Sequence, residues 1–253
     1  MNEIEQDTMS DAFRACWSAA GNHLNHQVEG GIKFWLRAHP YPPYLEHLSF
    51  RLGNQLFYVR VEDVDGQVQG PGNPHGFITA ATATQGVPCV LPMRQHVGGQ
   101  WVAALPGWGL LEADGHTPLD PVALVTDQNI EMTPWELQDM AVQVVCGAIK
   151  RDGLQLMSWQ SNPQVDPSVW FIGNSGGPEW VVVRAARYPT KTATRPANWD
   201  DIAEGCSQMS DIGHFASVGI VSAAQSFEDA DEAPVPLWRG HGMHVRYAGL
   251  ESA

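Results

Sequence analysis

The stretch PSVWFIGNSGGPEWVVVRAARYP, residues 167–189, has the pattern of a β-hairpin. A short apolar run reaches Gly173-Asn174, a turn follows, and a β-rich run ends at Val183-Arg184. Glycine at such a turn supplies the positive φ that tight hairpins need. HLSFRLGNQLFYVRVED, residues 47–63, follows the same plan on a smaller scale, with Gly53-Asn54 at its turn and Val59-Arg60 near its end. The chain therefore reads as one design used twice.

Outward from the two hairpins, the flanking segments also match. Before the first, Phe13, Cys16, Trp17, Ala20 and Leu24 recur at helical spacing, which predicts a helix over residues 10–28 that stops at Gly30-Gly31. Ile32–Leu36 reads as a strand, and His39-Pro-Tyr-Pro-Pro43 as an extended break. Before the second, Thr133-Pro134-Trp135-Glu136 is a capping box with proline at the first helical position. Leu137, Met140, Val144 and Ala148 are the expected buried stripe of that helix, with a strand over Leu154–Trp159 and a break over Asn162–Pro167.

After the hairpins, the expected order is a glycine-proline loop (66–76), a strand over Phe77–Thr84 and a hairpin across Gly98-Gly99 in the first half. The second half is expected to have a helix capped by Asn198, a strand over His214–Ala223, and a closing hairpin over Pro236–Leu250. Three pairs of segments keep the same order: PHGFITAATAT with GHFASVGIVSA, LPMRQH with VPLWRGH, and GLLEA with AGLES. The expected fold is α+β, a tandem duplication of a helix, three-strand, helix, two-strand unit whose first copy lacks its second helix. Residues 1–118 form the first repeat, 119–132 the connection and 133–253 the second repeat. One shared sheet and a pseudo-dimer both fit the sequence.

The composition narrows the function. Fourteen basic and 28 acidic residues give a formal charge of −14, with no basic cluster, so phosphate backbones and anionic membranes are repelled. Phe227–Glu232, FEDADE, reads as a solvated loop or a dock for a basic partner. The longest apolar runs fall far short of a bilayer span. Cys16, Cys89, Cys146 and Cys206 are widely spaced, and no secretory signal is recognised, so reduced, buried thiols in a soluble cytoplasmic protein are expected. No metal or cofactor is expected.

Two motif matches reduce to turns. Gly173-Asn174-Ser175-Gly176-Gly177 has the spelling of a nucleophile elbow, which exposes its serine only between a strand and a helix; here it joins two strands. Glu62-Asp63-Val64-Asp65-Gly66 lacks the later ligands of an EF-hand calcium loop.

The order helix, three strands, helix, strand in the second half resembles the core of the PD-(D/E)XK nuclease-like superfamily. That resemblance implies a magnesium site with an acid on the second strand and Glu-x-Lys on the third. By position it assigns Asp166, and then either Val182-Val183-Arg184, which keeps a cation and loses the acid, or Glu179, which restores the acid and loses the base. Tyr58-Val59-Arg60 lacks the acid in the first copy. A lapsed nuclease fold used for binding is what the resemblance implies.

The recurring Arg-x-His motif carries the remaining candidates: Arg94 with His96, and Arg239 with His241, each matched upstream by a histidine, His75 or His214. Gathered at one spot, these residues would bind an anion or a partner's carboxylate; dispersed, they lock turns. Trp101, Trp108 and Trp238 lie near the second hairpins and offer either core or interface. The expected function is a non-catalytic binding protein, immunity-like or regulatory, holding a protein partner of basic character. Two alternatives stand beside it: a metal-dependent nuclease or phosphoester hydrolase using Asp166, Glu179 and Arg184, and a small-anion sensor.

Overall fold

The computed structural model describes residues 10–36, 48–70, 74–228 and 233–252. The expected frayed start (1–8), the proline break (39–43) and residues 229–232 of the acidic loop lie outside the described residues. The chain forms two compact units, Met1–Gln128 and Asn129–Ala253.

The first unit runs α1 (Asp11–His26), β1 (Phe34–Trp35), β2 (Leu48–Leu52), β3 (Gln55–Asp63), α2 (Pro74–Ala83), β4 (Val87–Gln95), β5 (Trp101–Ala103) and β6 (Leu111–Glu112). Ser10 caps α1 by accepting from the Phe13 backbone N–H at 3.2 Å, and the predicted stripe from Phe13 to Leu24 is buried. Sheet order is β1-β2-β3-β4-β5, with β6 also on β4. β3 and β4 are parallel; every other pair is antiparallel. Phe57, Val59 and Val61 of β3 join the core beneath α1, whereas Leu56 and Tyr58 join Phe77 and Ala81 of α2. Both faces of β3 are thus covered, which is why Leu56–Val59 reads as an unbroken apolar run.

α2 corrects the expected strand over Phe77–Thr84, and with it the expectation that the first copy lacks its second helix. Isoleucine and three threonines give this stretch a β-like composition. The topology overrides it: two neighbouring parallel strands need a crossover between them, and a helix supplies one. Phe77 and Ala81, four apart, are the buried contacts of that helix.

The second unit runs α3 (Pro134–Arg151), β7 (Gln155–Trp159), β8 (Val169–Ile172), β9 (Pro178–Arg187), α4 (Trp199–Cys206), β10 (Gly213–Ser222), β11 (Met243–Tyr247) and β12 (Glu251–Ser252). Its sheet order, β7-β8-β9-β10-β11 with β12 also on β10, matches the first unit strand for strand, including one parallel pair, β9 with β10. Val181 and Val183 face the α3 core, and Trp180 and Val182 face α4. Burying each such large apolar side chain contributes about 1.5–3 kcal/mol.

The capping box forms as read: Thr133 Oγ1 accepts from the Glu136 N–H, and the Glu136 carboxylate accepts from the Thr133 N–H. The buried stripe is Leu137, Ala141, Val142, Val145, Cys146, Ala148 and Ile149, so Leu137 and Ala148 are buried as expected while Met140 and Val144 lie at its margin. Pro236–Leu250 is not a hairpin in itself. Leu237–Arg239 runs beside Ile130–Met132, and β11 pairs instead with β10.

The structure also resets the internal match. Gly86 and Gly213 open the two parallel strands, each pressed on an aromatic ring of the preceding strand: an added Cβ would lie 2.7 Å from the Tyr58 ring or 2.2 Å from the Trp180 ring. Residues 86–95 thus correspond to 213–222. The pairings of PHGFITAATAT with GHFASVGIVSA and of LPMRQH with VPLWRGH fall, while GLLEA with AGLES stands as β6 and β12.

Candidate functional site

Arg60 and Arg184 hold equivalent places. Each is the third residue, after Leu56 and Tyr58 or Trp180 and Val182, on the face of the central strand covered by the crossover helix. Arg184 makes a two-pronged pair with Asp166, at 2.9 and 2.6 Å, with the side chains only 22% and 11% exposed. Arg60 pairs with Glu62 at 3.1 Å, at 26% and 44% exposure. The two arginines are almost equally sheltered; the difference lies in the carboxylates, Asp166 being drawn inward and Glu62 left at the surface.

Glu179 alternates with Val181 and Val183, so it lies on the opposite face of β9 from Arg184. Its carboxylate meets His214 Nε2 at 2.7 Å, and the His214 ring lies 5.9 Å from that of Phe171. Gly173 makes room for it, since a Cβ there would lie 1.7 Å from Glu179 Oε1. The three residues of the nuclease reading are therefore divided between the two faces of the sheet. Among the described residues, no group of three His, Cys, Asp or Glu side chains gathers in a way that could hold a metal ion.

The Arg-x-His residues do not converge. Arg239 is fully buried, its Nε donating to Glu136 Oε1 at 2.9 Å and its Nη2 to Oε2 at 2.8 Å, so that it braces the capping box. His241 is exposed and His214 is bound to Glu179. In the first unit Arg94 and His96 are exposed, with Arg94 Nε 3.9 Å from Asp65; His75 lies in α2, its side chain outside the described residues. Trp101 is buried in the first core, Trp108 stacks on Phe50 at 6.0 Å, and Trp238 is half-buried. Trp101 and Trp108 thus serve packing.

Sequence reasoning missed a buried polar latch on α3. Gln138 donates to the Val183 carbonyl and accepts from the Ala185 N–H, taking the place of a neighbouring strand where β9 outruns β8. Ser168 Oγ accepts from the Val183 N–H beside it, and Asp139 accepts from Ser161 and Gln143. The one available signal was polar residues at stripe-adjacent positions of α3. The two candidate loops are turns: Ser175 is exposed between β8 and β9, and Asp63 accepts from three backbone N–H groups, those of Asp65, Gln67 and Val68.

All four cysteines are buried and free. Burial pushes the thiols of Cys16 and Cys146 up to about 12 and that of Cys206 up to about 11, and raises Cys89 as well. Such thiols are poor nucleophiles, because the thiolate is the reactive form. No helix among the described residues is long and apolar enough to cross a membrane.

Residues 135–253 match the family model described as Domain of unknown function (DUF8840). The matched span starts one residue into α3 and runs through the rest of the second unit. No curated protein and no solved structure matches the chain.

Proposed function

We propose that this protein is a non-catalytic cytoplasmic binding protein, of the immunity-like or regulatory kind, whose acidic exterior holds a basic protein partner. One observation carries this reading: each carboxylate of the nuclease-like set is already engaged by a side chain of its own, the two on opposite faces of β9. Asp166 gives both oxygens to Arg184, and Glu179 is bound to His214 on the other face of β9. A magnesium site needs carboxylate oxygens converging on one point, and these do not converge. The −14 charge supports a basic partner rather than a nucleic acid.

The test has two arms. The purified protein is incubated with supercoiled DNA and millimolar magnesium or manganese, and separately titrated at low salt with a cationic peptide. The reading expects no metal-dependent cleavage, and peptide binding that weakens as salt rises. Cleavage that disappears in the Asp166→Ala variant overturns it, as does failure to bind the peptide at low salt.

A further inference from the structure

Each sheet ends in two edge strands, and a strand at an edge leaves the backbone N–H and C=O of every second residue unpaired. Three of the four edges are blunted. β1 is two residues long, β5 is three, and the pairing of β7 with β8 shifts register between Leu156 and Ser158, as at a β-bulge. β11 is the exception. It pairs with β10 in unbroken register over Met243–Tyr247 and contains neither proline nor lysine, the residues that commonly guard an edge. Among the described residues no strand pairs with its outer side.

The hydrogen bonds fix which groups point outward. The Ala223 N–H donates to the Gly242 carbonyl, so these two are a bonded pair, and by alternation the next bonded pairs are Val221 with His244 and Gly219 with Arg246. Met243, Val245 and Tyr247 therefore turn their backbone groups away from β10. The opposite strand agrees: the carbonyl of Ile220, across from Val245, accepts from the Tyr188 N–H on the far side of β10. Met243 and Tyr247 pack their side chains on the core beneath α3, and Val245, on the same face between them, is 41% exposed. His244 and Arg246 are exposed on the other face, with Arg246 donating to Glu228 at 2.6 Å.

An open row of donors and acceptors takes another extended backbone. The order of groups along this edge selects a second copy of the same strand. MHVRY alternates apolar and polar residues symmetrically about Val245, and its outward residues are Val245 itself and those two places to either side. Two copies laid antiparallel across a two-fold axis at Val245 bond Val245 to Val245 and Met243 to Tyr247, so every outward N–H and C=O of the strand finds a partner. Apolar side chains then meet apolar ones on the α3 face and cover Val245. On the other face His244 comes opposite Arg246, whose charge Glu228 already answers. Charge permits the approach: copies of net charge −14 repel each other, yet no Asp or Glu occurs from Ala233 to Leu250.

We infer that β11 is a dimerisation edge, through which two copies of the chain join their second sheets by antiparallel β11–β11 pairing. This inference goes beyond the binding reading above and does not depend on it.

Sedimentation of the full chain is followed from dilute to concentrated solution, with amide hydrogen exchange measured at both ends of the series. A dimer is expected in which the amides of Met243, Val245 and Tyr247 are protected, whereas in the monomer they exchange freely; those of His244 and Arg246 stay protected in both. Val245→Lys puts a charge at the axis, and Val245→Pro removes the central outward N–H without touching a bond to β10. Each should raise the dissociation constant of the dimer about tenfold or more. Val245→Lys, altered at an exposed side chain, keeps the melting temperature of the dissociated parent. A chain that stays monomeric, a dimer whose Met243, Val245 and Tyr247 amides exchange freely, or self-association undiminished in both variants overturns the β11 edge.

Discussion

Beneath α1 the first unit buries Cys16, Trp17, Phe50, Phe57 and Trp101, whereas beneath α3 the second buries Glu136, Gln138, Asp139 and Arg239 beside its valines. The sheets under the two helices nonetheless share strand order, direction and crossover. The framework therefore follows from what the units have in common: a capped helix, a hairpin, a central strand apolar on both faces, and a glycine opening the parallel strand. The polar groups of the second unit are additions that fasten its parts. A buried pair is weak evidence of net stability, but removing one partner strands the other's charge.

That asymmetry sets the largest expected effect. Arg239→Met leaves the Glu136 carboxylate buried with no guanidinium, and unit 2 should lose about 3–5 kcal/mol, read by denaturant unfolding with hydrogen exchange followed along α3. Unit 1 offers no comparable substitution at its first helix. A loss below about 1 kcal/mol would mean that the brace contributes little.

Next come the matched glycines. Gly213→Ala drives a Cβ into the buried Trp180 ring and Gly86→Ala into Tyr58, so both should lose about 1–3 kcal/mol, with Gly213→Ala the costlier because its clash is closer. Tolerance at one site alone would break the correspondence of 86–95 with 213–222. Smaller again, Ser10→Ala removes the sole side-chain cap seen on α1 and should cost about 1 kcal/mol, by the same measurement.

The mildest test is pH. Burial, the largest cause, raises the thiols of Cys16, Cys146 and Cys206 and the Tyr247 hydroxyl, the last up to about 12. A raised folded value favours the neutral form in the native state, so this contribution is complete below the unfolded values. Those lie at about 9 for thiols and 10 for tyrosine, and the contribution is lost as pH climbs toward 11–12. Melting temperature should accordingly be insensitive to these groups near neutrality and fall above about pH 9.

Much of the framework was legible because local and global signals agreed. Ser10, the Thr133 capping box and the glycine turns each mark a boundary that the fold uses. α2 was hidden because Ile78 and its threonines favour strand while the crossover requirement is not local; Pro74 at its start was the available clue. From that one error came the shifted register that paired Arg94 with Arg239, although one stands on β4 and the other braces a helix cap. The Asp166–Arg184 pair was within reach, since both residues had been singled out. The Glu136–Arg239 pair was not, because no sequence spacing joins residues brought together from opposite ends of a unit.

Arg184→Met tests the central claim most directly, because it asks whether the paired charges of the second unit hold the fold or wait on a reaction. The account predicts a loss of about 1.5–3 kcal/mol in denaturant unfolding, since Asp166 is left nearly buried without its two charge-assisted bonds, against about 0.2–1 kcal/mol for Arg60→Met, whose partner Glu62 remains open to water. An Arg184→Met protein as stable as the parent, or more stable, would contradict it, for that is how a residue kept at a cost to stability for catalysis behaves.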